Sequence, residues 1–250
     1  NYFPDSKVIN LVLAANKGDV NKIDQLIKQG TNVNYKGKNN VTPLFAQMSS
    51  MNMDGFKKLH ENGADPNLPT YDGPSVIWYA AYGGELSDAM LERLKLCLQH
   101  RGNPNWIYHH KYPNPIERDS QDGRSLLAAA ILFNSRAIEA LTLLLDAGAD
   151  INIRDNKGET PLFYAVALSN YDIAYFLLQK GADYSIKSQL PVLTDKGTEP
   201  LNKTFIYIME NNQVFCTRGE KDLATQLGYR RKVIAFLKEK GIEVNLKYPD

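Results

Sequence analysis

Thr160-Pro161-Leu162-Phe163-Tyr164-Ala165 opens one stretch of this chain, and Gly181-Ala182-Asp183 closes it. Thr is suited to cap a helix with its hydroxyl, and Pro fits the first helical position, where its missing N–H costs nothing. A second helix is predicted over Tyr171 to Gln179, with Ile173, Ala174, Leu177 and Leu178 on one apolar stripe. Gly181 then ends it in the left-handed conformation that glycine adopts cheaply. The unit reads helix, turn, helix, glycine stop, turn.

The same landmarks recur along the chain. Gly63-Ala64-Asp65 and Gly148-Ala149-Asp150 repeat the tripeptide, and Gly30, Gly102 and Gly241 head relaxed versions of it. The steps from Gly30 to Gly63 and from Gly148 to Gly181 are equal and fix a period of about 33 residues. Those from Gly63 to Gly102, Gly102 to Gly148 and Gly181 to Gly241 are longer. Thr42-Pro43-Leu44-Phe45 repeats the opening in phase, Phe45 standing as far ahead of Gly63 as Phe163 does of Gly181. Ser75-Val76-Ile77-Trp78 and Ser125-Leu126-Leu127-Ala128 are weaker copies, and small residues such as Ala80, Ala81 and Ala165 let neighbouring helices approach closely.

This pattern resembles the ankyrin repeat, with its unit of about 33 residues, early T-P-L-H and late G-A-D. The resemblance implies an all-α solenoid of about six helix-turn-helix units with short hairpin-like turns. We place the units at about 5–36, 37–69, 70–105, 118–153, 154–186 and 187–250, all within a single domain spanning 1–250. The first is a cap, marked by Leu13-Ala14-Ala15-Asn16-Lys17-Gly18-Asp19. Phe45, Trp78, Ala128 and Phe163 stand where the family has His, so these turns are expected to rely on apolar packing.

Two departures from the period are insertions, which in repeat proteins map to loops that often bind. The inserted loop 106–117 holds Trp106, Tyr108, His109, His110 and Tyr112 ahead of two prolines, a composition that suits recognition. The same aromatics could instead fold back onto the repeat. The second insertion, about 211–228, lies in the last unit, where Glu199-Pro200-Leu201 reads as a degraded T-P-L and the final helix is predicted to include Val233 to Lys240. Capping is the expected role of a terminal unit, whose outer face meets water. Arg230-Arg231-Lys232 reads as a solvated helix start rather than a nucleic-acid patch.

Composition excludes several classes. With 43% apolar and 23% charged residues the chain is neither disordered nor a disulfide scaffold, and Cys97 and Cys216 are too few for a cysteine-based zinc site. The net charge of +1 provides no overall attraction for nucleic acid, which is not an expected partner. Residues 1–50 carry six Lys/Arg against three acids and residues 201–250 nine against six, while 51–200 carry 14 against 19, so basic ends flank an acidic middle. The longest apolar run, Leu126 to Phe133, is far short of the ~20 residues that span a bilayer. The sequence holds no phosphate loop, no G-x-G-x-x-G after a strand, no H-E-x-x-H and no G-x-S-x-G. His60 and His100 suit packing near second-helix ends, and Asp65, Asp150 and Asp183 suit turn chemistry. No catalytic residue, metal or cofactor is expected, and the chain reads as non-enzymatic.

A solenoid offers a concave face and a row of turn tips. The family resemblance carries variable positions onto Lys38, Asn39, Tyr71, Asp72, Gln121, Asp122, Arg124, Asn156 and Lys157 at the tips. On the helices it carries them onto Tyr79, Tyr82, Leu132, Phe133, Tyr164 and Leu168. Tyr71, Tyr79 and Tyr82, beside the Trp106 to Tyr112 loop, form the expected hot spot for a folded protein partner. The style of Asn16-Lys17-Gly18-Asp19-Val20-Asn21-Lys22 and Asn62-Gly63-Ala64-Asp65-Pro66-Asn67 is similar to bacterial ankyrin lipoproteins. Some of those resemble immunity proteins paired with antibacterial phospholipase effectors of type VI secretion. This implies a toxin inhibitor in the periplasm, held by a lipid anchor ahead of Asn1, a position consistent with a start lacking Met. An intracellular adaptor or host-directed effector with a cytoplasmic partner is the alternative.

Overall fold

The structure, a computed structural model, describes residues 2–50, 52–84, 87–109, 123–133, 135–187, 191–194, 197–200, 205–211 and 223–248. The chain divides into two compact units, Asn1–Asp122 and Gly123–Asp250. The first holds α1 (Ser6–Lys17), α2 (Val20–Lys28), α3 (Pro43–Ala46), α4 (Met53–Glu61), α5 (Val76–Tyr82) and α6 (Ser87–Gln99), with 3-10 turns at Lys38–Asn40 and Gln47–Ser49. The second holds α7 (Leu126–Phe133), α8 (Ala137–Asp146), α9 (Pro161–Ala167), α10 (Tyr171–Gln179), α11 (Phe205–Asn211) and α12 (Leu223–Glu239). Five successive helix pairs pack as hairpins, and the sixth stacks with α11 on α9 and α12 on α10. Each unit stacks helix pairs as the repeat implies.

The caps form where the hydroxyls stand. Thr42, Ser75, Ser125 and Thr160 each accept the N–H of the residue three positions on, at 3.1, 3.3, 3.2 and 3.3 Å. Pro43 and Pro161 open their helices. Below the caps the leading apolar side chains, Leu44, Ile77, Leu127 and Leu162, are buried.

Glycine closes the second helices with one exception. Gly181 has φ 92° and open space where a Cβ would point, so its role is conformational. At Gly102 the left-handed residue is instead Arg101, with φ 67°. Gly102 is required for a different reason: a Cβ there would lie 2.5 Å from the Cys97 carbonyl oxygen.

After each stop, a side-chain ladder joins the turns. Asn32, Asp65, Asn103, Asp150 and Asp183 each accept, through Oδ1, the N–H two residues on, at 2.8 to 2.9 Å. This is the turn chemistry expected of the G-A-D aspartates. The asparagine four residues after the glycine then reaches the next turn. Asn34 Oδ1 accepts from Asp65 N at 2.8 Å, Asn67 Oδ1 from Asn103 N at 2.7 Å, and Asn152 Oδ1 from Asp183 N at 2.8 Å.

The last helix pair departs from the sequence reading. Glu199-Pro200 does not open a helix: β1 (Pro191–Thr194) and β2 (Gly197–Pro200) form an antiparallel hairpin with Pro191 opposite Pro200. The final helix begins at Leu223, ahead of the expected start at Arg230, and Asn211 belongs to α11, so the insertion is shorter than 211–228 and its centre, 212–222, lies outside the described residues. The early part of α12 escapes an apolar pattern because polar side chains occupy its buried stripe. Gln226 caps α10 from outside, accepting Tyr171 N at 2.7 Å and donating to Asp172 Oδ1 at 3.2 Å. Arg230 is no solvated helix start: it is buried, donating to Met209 O at 3.2 Å and Tyr248 O at 3.0 Å. The backbone N–H groups of Asn245 and Lys247 also donate to Glu210, at 2.7 and 2.8 Å, so the C-terminal segment is tied to α11.

Candidate binding face

In the first unit the first helices of the three pairs share an apolar face that the fold leaves open. On α1, Val8, Leu11, Ala14 and Ala15 enter the core, yet Leu13 is 49% exposed and Ile9 and Val12 are half-buried. These three, with Phe45, Ala46 and Met48 from α3 and the following turn, line a groove of about 440 Å³. Tyr2 and Phe3 also line it. Phe45 continues the face to α5, its ring meeting that of Tyr79 edge-on at 5.7 Å.

Tyr79 is 40% exposed, and its partial burial, with Tyr82 and Asp72 nearby, pushes its hydroxyl pKa upward. It therefore stays a neutral donor across physiological pH. Tyr82 is half-buried on the same helix. The tips rise beside this face. Lys38 and Asn39 flank the first of them, and Asn39, with φ 57°, offers its carbonyl to Tyr71 N at 2.8 Å, fixing one tip to the next. Tyr71 remains 55% exposed, and Asp72 is exposed beside it.

The inserted loop begins by turning inward. Tyr108 is only 5% exposed, with its ring 4.9 Å from Trp78 and its hydroxyl donating to Asp72 O at 3.1 Å. Trp106 is half-buried, 6.0 Å from Trp78, and donates from Nε1 to Asn67 O at 3.0 Å. Both aromatics thus pack against Trp78, and Tyr108, expected as a partner contact, is buried here. His109 is exposed, while His110 and Tyr112 lie outside the described residues.

In the second unit one expected position, Tyr164, is engaged internally with Arg124. Tyr164 is 6% exposed and donates a 2.5 Å hydrogen bond to Asp155 Oδ2, while Arg124 covers its ring at 5.4 Å. Burial and Asp155 drive the Tyr164 hydroxyl pKa upward, and burial and Asp155 also raise that of Glu159. Tyr164, expected as a partner contact, is thus buried and held by Asp155 and Arg124. Asn156 and Lys157 are exposed at the tip; Gln121 and Asp122 lie outside the described residues, and Leu132, Phe133 and Leu168 are half-buried.

His60 and His100 occupy second-helix ends as expected. Their rings stack at 5.3 Å, and buried His60 also packs on Phe56 at 4.8 Å, with Nε2 3.8 Å from the sulfur of buried Cys97. Burial, then the nearby His100, lowers the His60 pKa to about 4. Among the described residues no group of three His, Cys, Asp or Glu side chains could hold a metal ion, and no helix is long and apolar enough to cross a membrane.

Residues 94–188 match the family model described as ankyrin repeats, in three copies. Over that stretch the chain is similar to ankyrin repeats. The crystal structure of the ankyrin repeat protein EF0377 superposes with a TM-score of 0.59 at 26% identity, covering 93% of this chain and 98% of that one. An ankyrin repeat protein of fowlpox virus (strain NVSL) is 26% identical over 71% of this chain and 85% of its own length. Another from the same virus is 40% identical over 30% of this chain, which spans 17% of that relative's length. Ankyrin repeats are in general non-catalytic modules that bind folded proteins, and none of these three names is that of a toxin inhibitor.

The sequence reading names Tyr79 and Tyr82, which lie on α5, but not Ile9, Leu13, Phe45 or Met48. A signal for them exists: Val8, Ile9, Leu11, Val12 and Leu13 exceed one buried stripe, so part of α1 must meet either solvent or a partner.

Proposed function

We propose that this ankyrin chain is a non-catalytic module that binds a folded protein through the α1, α3 and α5 face of its first unit and the adjoining tips. The observation that supports this reading most is the continuity of Leu13, Phe45 and Tyr79 as a partly exposed apolar and aromatic strip. Rigid tyrosines beside aliphatic side chains provide large contact area with few rotors to immobilise. The groove accepts one or two apolar side chains of a partner, while the exposed tip residues Lys38, Asn39 and Asp72 supply polar contacts.

The partner we assign is a secreted antibacterial toxin of phospholipase type, with the chain acting as its immunity protein in the periplasm. Support for this narrower reading is the sequence resemblance to bacterial ankyrin lipoproteins. Such binding blocks the toxin's active-site cleft or its approach to the membrane. The test is phospholipase activity of the toxin encoded beside this gene, titrated with the purified chain. Complete inhibition at equimolar protein is expected. Stable binding without inhibition would overturn the immunity role while leaving the binding face intact, and capture of a cytosolic protein in its place would favour the adaptor reading.

A further inference from the structure

Residues 2–4, ahead of the Asp5 cap of α1, lie against the first unit in the manner of a bound peptide. Phe3 is buried with Val8 and Val41, packs on Ile9, Val12 and Phe45, and meets the Tyr35 ring edge-on at 6.4 Å. The Tyr2 carbonyl accepts Lys38 N at 2.7 Å. Lys38 and Tyr71 stand at corresponding places, each four residues ahead of a capping Thr42 or Ser75, and Tyr71 N donates in the same way to Asn39 O of the tip before it. Tyr2 therefore takes the place of a preceding tip. Gly37 makes room for it: its φ of −79° suits any residue, but a Cβ there would collide with the Tyr2 carbonyl and the Phe3 ring.

The hold on this segment is slight. Among the described residues one hydrogen bond joins residues 2–4 to the rest of the fold, and of their side chains Phe3 is buried while Tyr2 and Pro4 are exposed. Tyr2 and Phe3 border two hollows, the groove of about 440 Å³ and a second of about 470 Å³ beside Tyr35, Gly37 and Lys38. Ordering the segment costs conformational entropy that so few contacts barely offset, which places it among the parts of a fold that open locally. We propose that residues 2–4 are a self-bound segment in a peptide site. The occupant in the complex is an extended segment of the folded partner: its aromatic side chain takes the Phe3 niche, its preceding carbonyl takes the Lys38 N–H, and residues 2–4 are displaced. The chemistry of the niche selects this occupant, because apolar walls beside the Tyr35 edge suit a ring and a strand-type N–H donor suits a main-chain carbonyl. This inference rests on the reading of α1, α3 and α5 as the binding face, and adds the chemistry that the partner presents and a contact that competes with it.

Nuclear magnetic resonance on the full chain tests this without the partner. Hydrogen exchange should show the Lys38 amide opening at least about a hundredfold more often than the Leu11 amide of α1. Gly37→Ala should remove the protection of Lys38 while Ala46 N, bonded to Thr42 O, keeps its rate. A synthetic peptide of residues 1–6, titrated to millimolar concentration, should shift the Lys38 and Phe45 amides of Phe3→Ala with at least about tenfold higher affinity than those of the unaltered chain, whose site is filled. The same peptide with Ala in place of Phe should shift neither. Exchange of Lys38 only with global unfolding, equal affinity for the two chains, or no binding to Phe3→Ala would overturn the proposal. Should Phe3→Ala fail to fold, exchange in the unaltered chain and in Gly37→Ala decides alone. Residues 2–4 can prove a fixed part of the fold while α1, α3 and α5 still bind a folded protein; loss of that wider reading would show instead as normal partner affinity in Tyr79→Ala and Leu13→Asp.

Discussion

Replacing Asn67 isolates the ladder that joins successive turns. Its side chain makes three bonds: Nδ2 donates to Asp65 Oδ1 at 2.8 Å and to Arg101 O at 2.9 Å, and Oδ1 accepts from Asn103 N at 2.7 Å. A net hydrogen bond contributes about 1 kcal/mol, and solvent reaches the ends at Arg101 and Asn103, so Asn67→Ala should cost about 2 kcal/mol. Asn34 makes two such bonds, to Gly63 O and Asp65 N, and Asn152 one, to Asp183 N. The cost of alanine should therefore fall in the order Asn67, Asn34, Asn152. Asn67→Asp is the sharper variant: it keeps the acceptor for Asn103 N but sets a second carboxylate against Asp65 and loses both donations. It should destabilise more than Asn67→Ala. Urea unfolding followed by circular dichroism, read as the midpoint shift at constant slope, measures each cost. An aspartate milder than alanine, or an Asn152→Ala as costly as Asn67→Ala, would refute the ladder as the source of the effect.

On the binding face, Tyr79→Ala or Leu13→Asp should weaken partner binding by about 2 kcal/mol or more by calorimetry, with little change in melting temperature; normal affinity in both would remove this face as the site. Tyr164→Phe should do the reverse, costing about 1.5–3 kcal/mol of stability by loss of its charge-assisted bond to Asp155, with affinity unchanged in the same two assays. His60 gives a pH dependence. Its folded pKa is about 4 against 6.5 unfolded, so below pH 6.5 the unfolded chain takes up a proton that the folded one refuses. Stability should therefore fall between pH 6.5 and 4, by on the order of 3 kcal/mol from this group, and level off below. His60→Phe should flatten the slope in that window, and an identical slope in the variant would exclude His60 as its origin.

Local chemistry made much of the fold legible. A Thr or Ser before an apolar run, and a glycine at a fixed distance after an aligned Phe, specify caps and stops without knowledge of the neighbours. What escaped depends on distance in space. The asparagine after each turn is visible in the sequence, but its partner lies 31 to 36 residues away. The start of α12 was missed because Gln226 and Arg230 fill buried positions with polar side chains that become acceptable only when Tyr171, Asp172, Met209 and Tyr248 supply partners. Gly102 was assigned the role of its aligned glycines, although its demand for space arises from the Cys97 carbonyl.

The variable positions of a repeat are therefore not equivalent even where their alignment is clear. Tyr79 and Tyr164 occupy corresponding places on α5 and α9, yet their surroundings divide them. Asp155 and Arg124 draw Tyr164 into an ion-aromatic cluster, and a side chain so engaged would have to break that bond to reach a partner. Tyr79 has Phe45 at its edge, which orients the ring and leaves its hydroxyl near the tip of Asp72. The inserted loop reinforces the difference: Tyr108 and Trp106 brace Trp78 from behind, and Tyr108 fixes the Asp72 tip through its carbonyl. A contact surface benefits from exposed side chains on a backbone that no longer has freedom to lose. By that criterion Trp106 and Tyr108 at the start of the inserted loop stiffen the proposed face on α1, α3 and α5.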